Sequence, residues 1–140
     1  MVNIFVLALL MVGDTVLLVR RHNTSFGDGL YSLVGGKVEQ GETAKDAIVR
    51  EVCEETTLDI PKDKFTLVHV LNRNGTETEF IALCFKADIS SLPKPRNNEP
   101  DKHDDMRFFR CNALPANMLP AHKQIIQCVR EGVNYSEHGW

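Results

Sequence analysis

The chain has 140 residues, 43% of them hydrophobic and 25% charged, which excludes a disordered, collagen-like or coiled-coil reading and predicts one domain over residues 1–140. Its 16 Lys and Arg against 19 Asp and Glu leave a net charge of −3, so no basic excess draws it onto nucleic acid or an anionic membrane. The four cysteines, Cys53, Cys84, Cys111 and Cys128, include no CxxC pair; the usual zinc spacings are absent and reduced thiols are expected.

Residues 2–12 form an apolar run with no Lys or Arg before it and no small-x-small cleavage site after it. It is too short to span a bilayer, so it reads as a core strand of a cytoplasmic protein. Gly13-Asp14 turns it into a second apolar run that ends in Arg20-Arg21, a hairpin buried on both faces. A loop over His22–Gly29 leads to a short strand, Leu30–Val34, broken by Gly35-Gly36. Thr43 is the expected N-cap of a helix whose core-facing stripe is Ala44, Ala47, Ile48 and Val52, ending near Thr56. Residues 64–72 and 78–87 read as a second hairpin, 88–104 as a loop, and Met106–Cys111 as a strand. A second helix begins near Pro120 and ends by Gly132; the tail from Asn134 to Trp140 shows no periodicity. This order of elements predicts an α+β fold with a mixed central sheet and helices on its faces.

The chemistry is concentrated between residues 36 and 58. On a helix, Glu51 neighbours both Glu54 and Glu55, with Cβ atoms roughly 5–6 Å apart. Three carboxylates there repel one another and oppose the macrodipole at the helix C-terminus. A local breach of good helix design of this kind concentrates at functional sites, and a hard divalent cation such as Mg²⁺ or Mn²⁺ reverses the penalty. A solvated acidic face is the alternative reading of any Glu-rich helix. Here, though, Gly35-Gly36 offers backbone carbonyls nearby, and Arg50 is placed to hold Glu54 at four residues or Glu42 across the turn.

This segment resembles the signature of the Nudix hydrolases: Gly, five residues, Glu, seven residues, then Arg-Glu-aliphatic-x-Glu-Glu-x-Gly-aliphatic. Gly36, Glu42, Arg50, Glu51, Val52, Glu54, Glu55 and Leu58 fall in register. Thr57 stands where the family has Gly, and Val34 where Pro is common. The resemblance implies an α/β/α sandwich and metal-dependent attack of water on a nucleoside diphosphate derivative.

By the same resemblance Glu51, Glu54 and Glu55 bind the metal with the Gly35 carbonyl, while Gly36, Glu42 and Arg50 support them. The general base is a signature Glu or Glu99 from the later loop, with Asp104 and Asp105 as alternatives. Arg21 matches a phosphate-touching position. Tyr31, Phe26, Phe108 and Phe109 are candidate walls for a base, and Asn97 or Asn98 candidates for reading its edge; His69 and His103 are taken as ordinary strand and loop residues. The expected activity is Mg²⁺-dependent, MutT-like hydrolysis of a nucleoside triphosphate, damaged or standard, to monophosphate and pyrophosphate, by a monomer or homodimer without nucleic-acid or membrane partners. The alternatives are hydrolysis of ADP-ribose or a pterin triphosphate, RNA processing, and a nucleotide-sensing module without catalysis.

Overall fold

The computed structural model describes residues 2–140. In chain order the strands are β1 (Asn3–Val12), β2 (Thr15–Arg21), β3 (Tyr31–Ser32), β4 (Val34–Lys37), β5 (Thr66–Asn74), β6 (Glu79–Asp88), β7 (His103–Arg110) and β8 (Tyr135–His138). The helices are α1 (Ala44–Thr56) and α2 (Pro120–Arg130). The strands form one mixed sheet in the order β3-β2-β1-β6-β5-β8, with β4 also paired to β1 and β7 to β2. No helix among the described residues is long and apolar enough to cross a membrane.

The continuous apolar runs of β1 and β2 follow from cover on both sides, because alternate side chains of a strand face opposite ways. Val6, Ala8, Leu10, Leu17 and Val19 pack with Ala47, Ile48 and Val52 of α1. Leu7, Leu9, Val16 and Leu18 pack with Ala121, Ile125 and Ile126 of α2. Phe108 and Phe109 divide between the two cores in the same way. The expected sandwich, with a helix on each face, is therefore the observed one.

The first hairpin differs from expectation. Only Met11↔Val16 and Val12↔Thr15 pair around the Gly13 turn. Beyond them the strands part: β2 runs antiparallel to β7, while β4 takes the vacated edge of β1, from Phe5↔Lys37 to Ala8↔Val34. Gly35 and Gly36 thus lie inside a strand rather than breaking one. A Cβ on Gly35 would sit 2.1 Å from the Val6 carbonyl oxygen, so only glycine permits this pairing. The split opens a crevice above β4, and α1 lies beside it.

The tail is also structured. β8 runs parallel to β5, from Val70↔Tyr135 to Arg73↔His138. Buried His69 secures it: Nδ1 lies 2.8 Å from the Val133 carbonyl oxygen, which can only accept, so Nδ1 carries the proton and Nε2 accepts from the Ser136 hydroxyl at 2.7 Å. His69 is more than an ordinary strand residue. Trp140 Nε1 donates to the Asn72 carbonyl at 3.1 Å and, 65% exposed, lies against the sheet edge as a packing contact. Four residues with an exposed face give too weak an alternation to read from sequence. Strand β7 begins at His103, three residues earlier than expected, for the same reason: its first residues are polar.

Helix α1 starts in a capping box, with Thr43 Oγ1 accepting from Asp46 N at 3.1 Å and Asp46 Oδ2 accepting from Thr43 N at 2.9 Å. It ends where the family pattern requires, although Thr57 replaces glycine. Thr57 adopts φ +68° and donates its N–H to the Cys53 carbonyl at 3.0 Å. A β-branched residue in the left-handed region is strained, so the substitution adds strain without moving the helix end. Thr57→Gly should raise stability by about 0.5–1 kcal/mol, read as a higher urea midpoint with an unchanged slope.

Candidate active site

Glu55 is the centre of the site. It lies in the last turn of α1, is 4% exposed, and its Oε2 accepts from the Gly35 N–H at 3.0 Å. Glu51, one turn earlier, lies against β4, where a Cβ on Gly36 would come within 2.3 Å of Glu51 Oε1. The glycine pair therefore has two separate jobs: Gly35 closes the strand pairing and donates to Glu55, and Gly36 leaves room for the Glu51 carboxylate.

Arg50 fixes the rest. Its Nη2 and Nε donate to the two Glu42 oxygens at 2.7 and 3.1 Å, and Nη1 donates to Glu51 Oε1 at 2.9 Å. Nη1 also reaches Glu54 Oε2 at 3.4 Å, and Nη2 donates to the Lys37 carbonyl at 3.2 Å. Both pairings expected of Arg50 exist together, and the fork of donors ties the turn before α1 to its C-terminal half. Glu54 is the outermost of the three acids, with about half its side chain exposed.

The opposite wall is the loop before β7. The last carbonyls of an α-helix lack partners within it. Here Arg96 N donates to Thr56 O at 2.9 Å, Asn98 N to Glu55 O at 3.1 Å, and Asn98 Nδ2 to Glu54 O at 2.9 Å. Asn98 thus binds the helix end, and this gives its amide a structural task in place of reading a base. Asn97 is likewise occupied, with Nδ2 donating to the His103 carbonyl at 2.7 Å. The loop so anchored brings Glu99 and His103 onto Glu55, and one ligand atom from each lies within 4.8 Å of the others.

His103 is the residue the sequence reading missed. It is 6% exposed, with Nε2 3.5 Å from Glu55 Oε1 and a buried Nδ1 that has no hydrogen-bond partner. The one available signal was its position four residues after Glu99.

Electrostatics mark the cluster as incomplete. Burial, with Glu51 and Glu99 close by, pushes the Glu55 carboxyl well above the usual carboxylate range, and burial also raises Glu51 against the pull of Arg50. Burial lowers His103 to about 4. The Glu55–His103 contact is therefore one between groups driven toward their neutral forms, not an ion pair. Desolvated carboxylates with an imidazole whose second nitrogen is unpartnered form a donor set that fits a divalent cation.

Beside the acids lies a cavity of about 510 Å³, lined by Phe5, Phe26, Phe80, Arg21, Arg73 and His122 among others, with Gly35 and Gly36 at its border with Glu51 and Glu55. Of the residues expected to touch substrate, Arg21 lines it and Tyr31 does not. Tyr31 is buried in the α2 core against Phe109, ring centroids 4.9 Å apart, and its hydroxyl donates to Asp105. The sequence pattern could not reveal that the β2–β3 pairing turns Tyr31 inward. Asp104 and Asp105 are engaged elsewhere, by Arg20 at 2.6 Å and Arg107 at 2.7 Å, which removes them as alternatives to Glu99. Phe5, Phe80, Arg73 and His122 carry no sequence signal for this role; strand pairing alone assembles them.

His122 is fixed as a neutral donor. Its Nδ1 accepts the Leu33 N–H at 3.0 Å, so Nε2 carries the proton; burial, then Arg73 and Arg21, lower its pKa to about 3. A histidine depressed on folding contributes stability above its unfolded value near 6.5, which is lost as pH falls toward the folded value. Between pH 6 and 3 the chain should lose about 1.4 kcal/mol per pH unit through this group. His122→Gln should flatten the acid limb of a stability–pH curve by that slope. Gly36→Ala should displace the Glu51 carboxylate and weaken divalent-cation binding at least about tenfold, measured by calorimetry, with the circular dichroism spectrum retained.

Comparison with known proteins gives the family and the fold. The NUDIX domain family model matches residues 1–128. The chain is 35% identical over 115 residues to the ADP-ribose pyrophosphatase of Methanocaldococcus jannaschii, covering 81% of this chain and 64% of that protein. It is 30% identical over 122 residues to the NAD-capped RNA hydrolase NudC of Stutzerimonas stutzeri, covering 85% of this chain and 40% of that one. The chain thus spans less than two thirds of these curated relatives. Its fold superimposes on the MutT NUDIX hydrolase of Burkholderia pseudomallei with a TM-score of 0.82 at 24% identity, over 91% of this chain and 97% of that one. With the signature, the fold and the family match in agreement, the chain belongs to the NUDIX domain family, the Nudix hydrolases.

Proposed function

We propose that the chain hydrolyses a nucleoside triphosphate to the monophosphate and pyrophosphate, using a divalent cation held by Glu51, Glu55 and His103. The observation that carries this reading is the juxtaposition of desolvated carboxylates with an aromatic cavity, both bordered by Gly35 and Gly36. An acidic cluster repels a polyphosphate unless a cation lies between them. When bound, the cation neutralises phosphoryl charge and lowers the pKa of a water molecule.

The chain's own residues do the rest. Arg50 keeps Glu51 and Glu42 in place, the Gly35 N–H orients Glu55, and Glu54 supports them from the rim. Glu99, facing the helix from the loop, takes the proton from the attacking water as its oxygen bonds to phosphorus and the anhydride P–O bond breaks. Phe5, packed against Phe80, provides a flat apolar wall for the base. Oxygen donors suit Mg²⁺ and Mn²⁺; the His103 nitrogen moves the preference toward Mn²⁺. We place the chain in the cytoplasm, acting on a small nucleotide, as a monomer or homodimer, with residues 1–140 as one domain.

A second reading, hydrolysis of ADP-ribose or another dinucleotide, is favoured by the relative named ADP-ribose pyrophosphatase. The cavity of about 510 Å³ beside the acids has room for a nucleoside. Product analysis over nucleoside triphosphates, ADP-ribose and NAD, with Mg²⁺ and with Mn²⁺, decides between them. Glu55→Gln and Glu51→Gln should each lower kcat by about 10²–10⁴ while circular dichroism shows the fold intact. Full activity in either variant would refute the cation assignment, and no turnover of any compound by the wild-type chain would favour a nucleotide-sensing module.

A further inference from the structure

Four arginines of the chain are partly buried: Arg20, Arg21, Arg50 and Arg73. Two of them have carboxylate partners, Arg20 on Asp104 at 2.6 Å and Arg50 on Glu42 at 2.7 Å. The other two, Arg21 and Arg73, have none within 4.0 Å among the described residues, and both line the cavity beside the acidic cluster. A guanidinium withdrawn from water without a counter-ion is costly, and two in one cavity compound the cost by repulsion. Burial lowers the pKa of both; at Arg21 the more distant Glu55 and Asp28 oppose it, whereas at Arg73 the charge of Arg21 adds to it.

The Arg73 side chain makes no hydrogen bond with any described residue. Aromatic rings hold it in place: its Cζ lies 5.2 Å from the centroids of both Phe26 and Phe80, within cation–π range. Arg21 donates Nε to the Phe26 carbonyl at 2.8 Å, and its Cζ is 5.9 Å from the same ring. Rings can occupy the faces of a guanidinium, but its hydrogen-bonding capacity lies at its edges, in the plane. Glu77 also lines the cavity, from an exposed turn, and reaches neither cation. His122 adds its Nε2–H, which has no acceptor among the described residues. The cavity therefore presents donors and positive charge, in a chain whose net charge is −3.

We propose that Arg73 joins Arg21, for which the family resemblance already implies a phosphate contact, in a two-arginine clamp for a phosphoryl group of the substrate, the one that the carboxylate-held cation does not neutralise. The inference rests on the reading of the chain as a nucleotide hydrolase and deepens it. Gly35 and Gly36 border both halves, so one polyphosphate spans them, its cation-bound portion on the acids and its remaining charge on the clamp. Phosphate matches the site better than a neutral carbonyl, because its oxygens accept from forked guanidinium donors and its charge ends the repulsion between Arg21 and Arg73. Arg73 is on this account a substrate-binding residue; it takes no part in bond breaking.

Calorimetric titration with inorganic tripolyphosphate in excess EDTA isolates the clamp, since no cation then bridges the acids to phosphate. The wild-type chain should bind, Arg73→Met should raise Kd at least tenfold, and Arg73→Lys should fall between them. Glu51→Gln should bind equally or more tightly. Arg21→Met, expected to match Arg73→Met, serves if the latter does not fold. With metal and the best nucleotide, Arg73→Met should raise KM about 10–100-fold and leave kcat within threefold. An unchanged Kd for tripolyphosphate in folded Arg73→Met, or an unchanged KM, overturns the clamp. A wild-type chain that binds tripolyphosphate in EDTA but hydrolyses no nucleotide with any divalent metal overturns the hydrolase reading instead, so the two failures are distinct.

Discussion

The burial of the Glu55 carboxyl at the C-terminal end of α1 is the constraint on which the rest of the site depends. A carboxylate there meets the negative end of the helix dipole, loses its water, and has Glu51 and Glu99 as neighbours. The fold supplies a single backbone donor, Gly35 N, and a histidine that burial keeps neutral. None of these balances an ionised Glu55. The surrounding structure holds the strained arrangement in place: β4 paired to β1 on one side, the 96–103 loop bonded to the helix carbonyls on the other, and Arg50 tying the helix to the preceding turn.

The same logic, with the sign reversed, operates across the border formed by Gly35 and Gly36. There Arg21 and Arg73 are withdrawn from water with no carboxylate in contact among the described residues; Glu55 and Asp28 act on Arg21 only from a distance. A domain could relieve both halves by pairing the arginines with the glutamates. This one makes no such contact, and the strand between the two groups, at Gly35 and Gly36, lacks side chains to bridge them. A ligand that carries a cation at one end and uncompensated phosphate at the other relieves both penalties together. Stability is thereby forgone at the site in exchange for a preorganised electrostatic field.

Much of the architecture was legible in the residues. The N-cap at Thr43, the helix from Ala44 to Thr56, the second hairpin and the helix after Pro120 all have strong local signals, because capping, 3.6-residue periodicity and proline at the first turn act over short distances. Gly36, Glu42, Arg50, Glu51 and Glu55 were legible for a related reason: a helix and its preceding turn fix their spacing, so their proximity follows from chain separation alone.

Other features needed the tertiary structure. Which strand pairs with the lower half of β1 is a competition among apolar runs of similar composition, and the chain decides it through a close approach that only Gly35 allows. That choice parts β2 from β1, turns Tyr31 into the α2 core, and leaves Arg21 on the cavity. His103 gains its place because backbone bonds to the end of α1 draw the loop inward, and Arg73 gains its place because β5 runs beside β6 with Phe80 on it. The sequence by itself determined the helix, its carboxylates and the sign of the charge to be neutralised, since these are local. The partners from distant strands and loops, and hence the shape and charge of the cavity, were decided only by packing, because hydrophobic pattern specifies which face of a strand is buried but not which neighbour lies beside it.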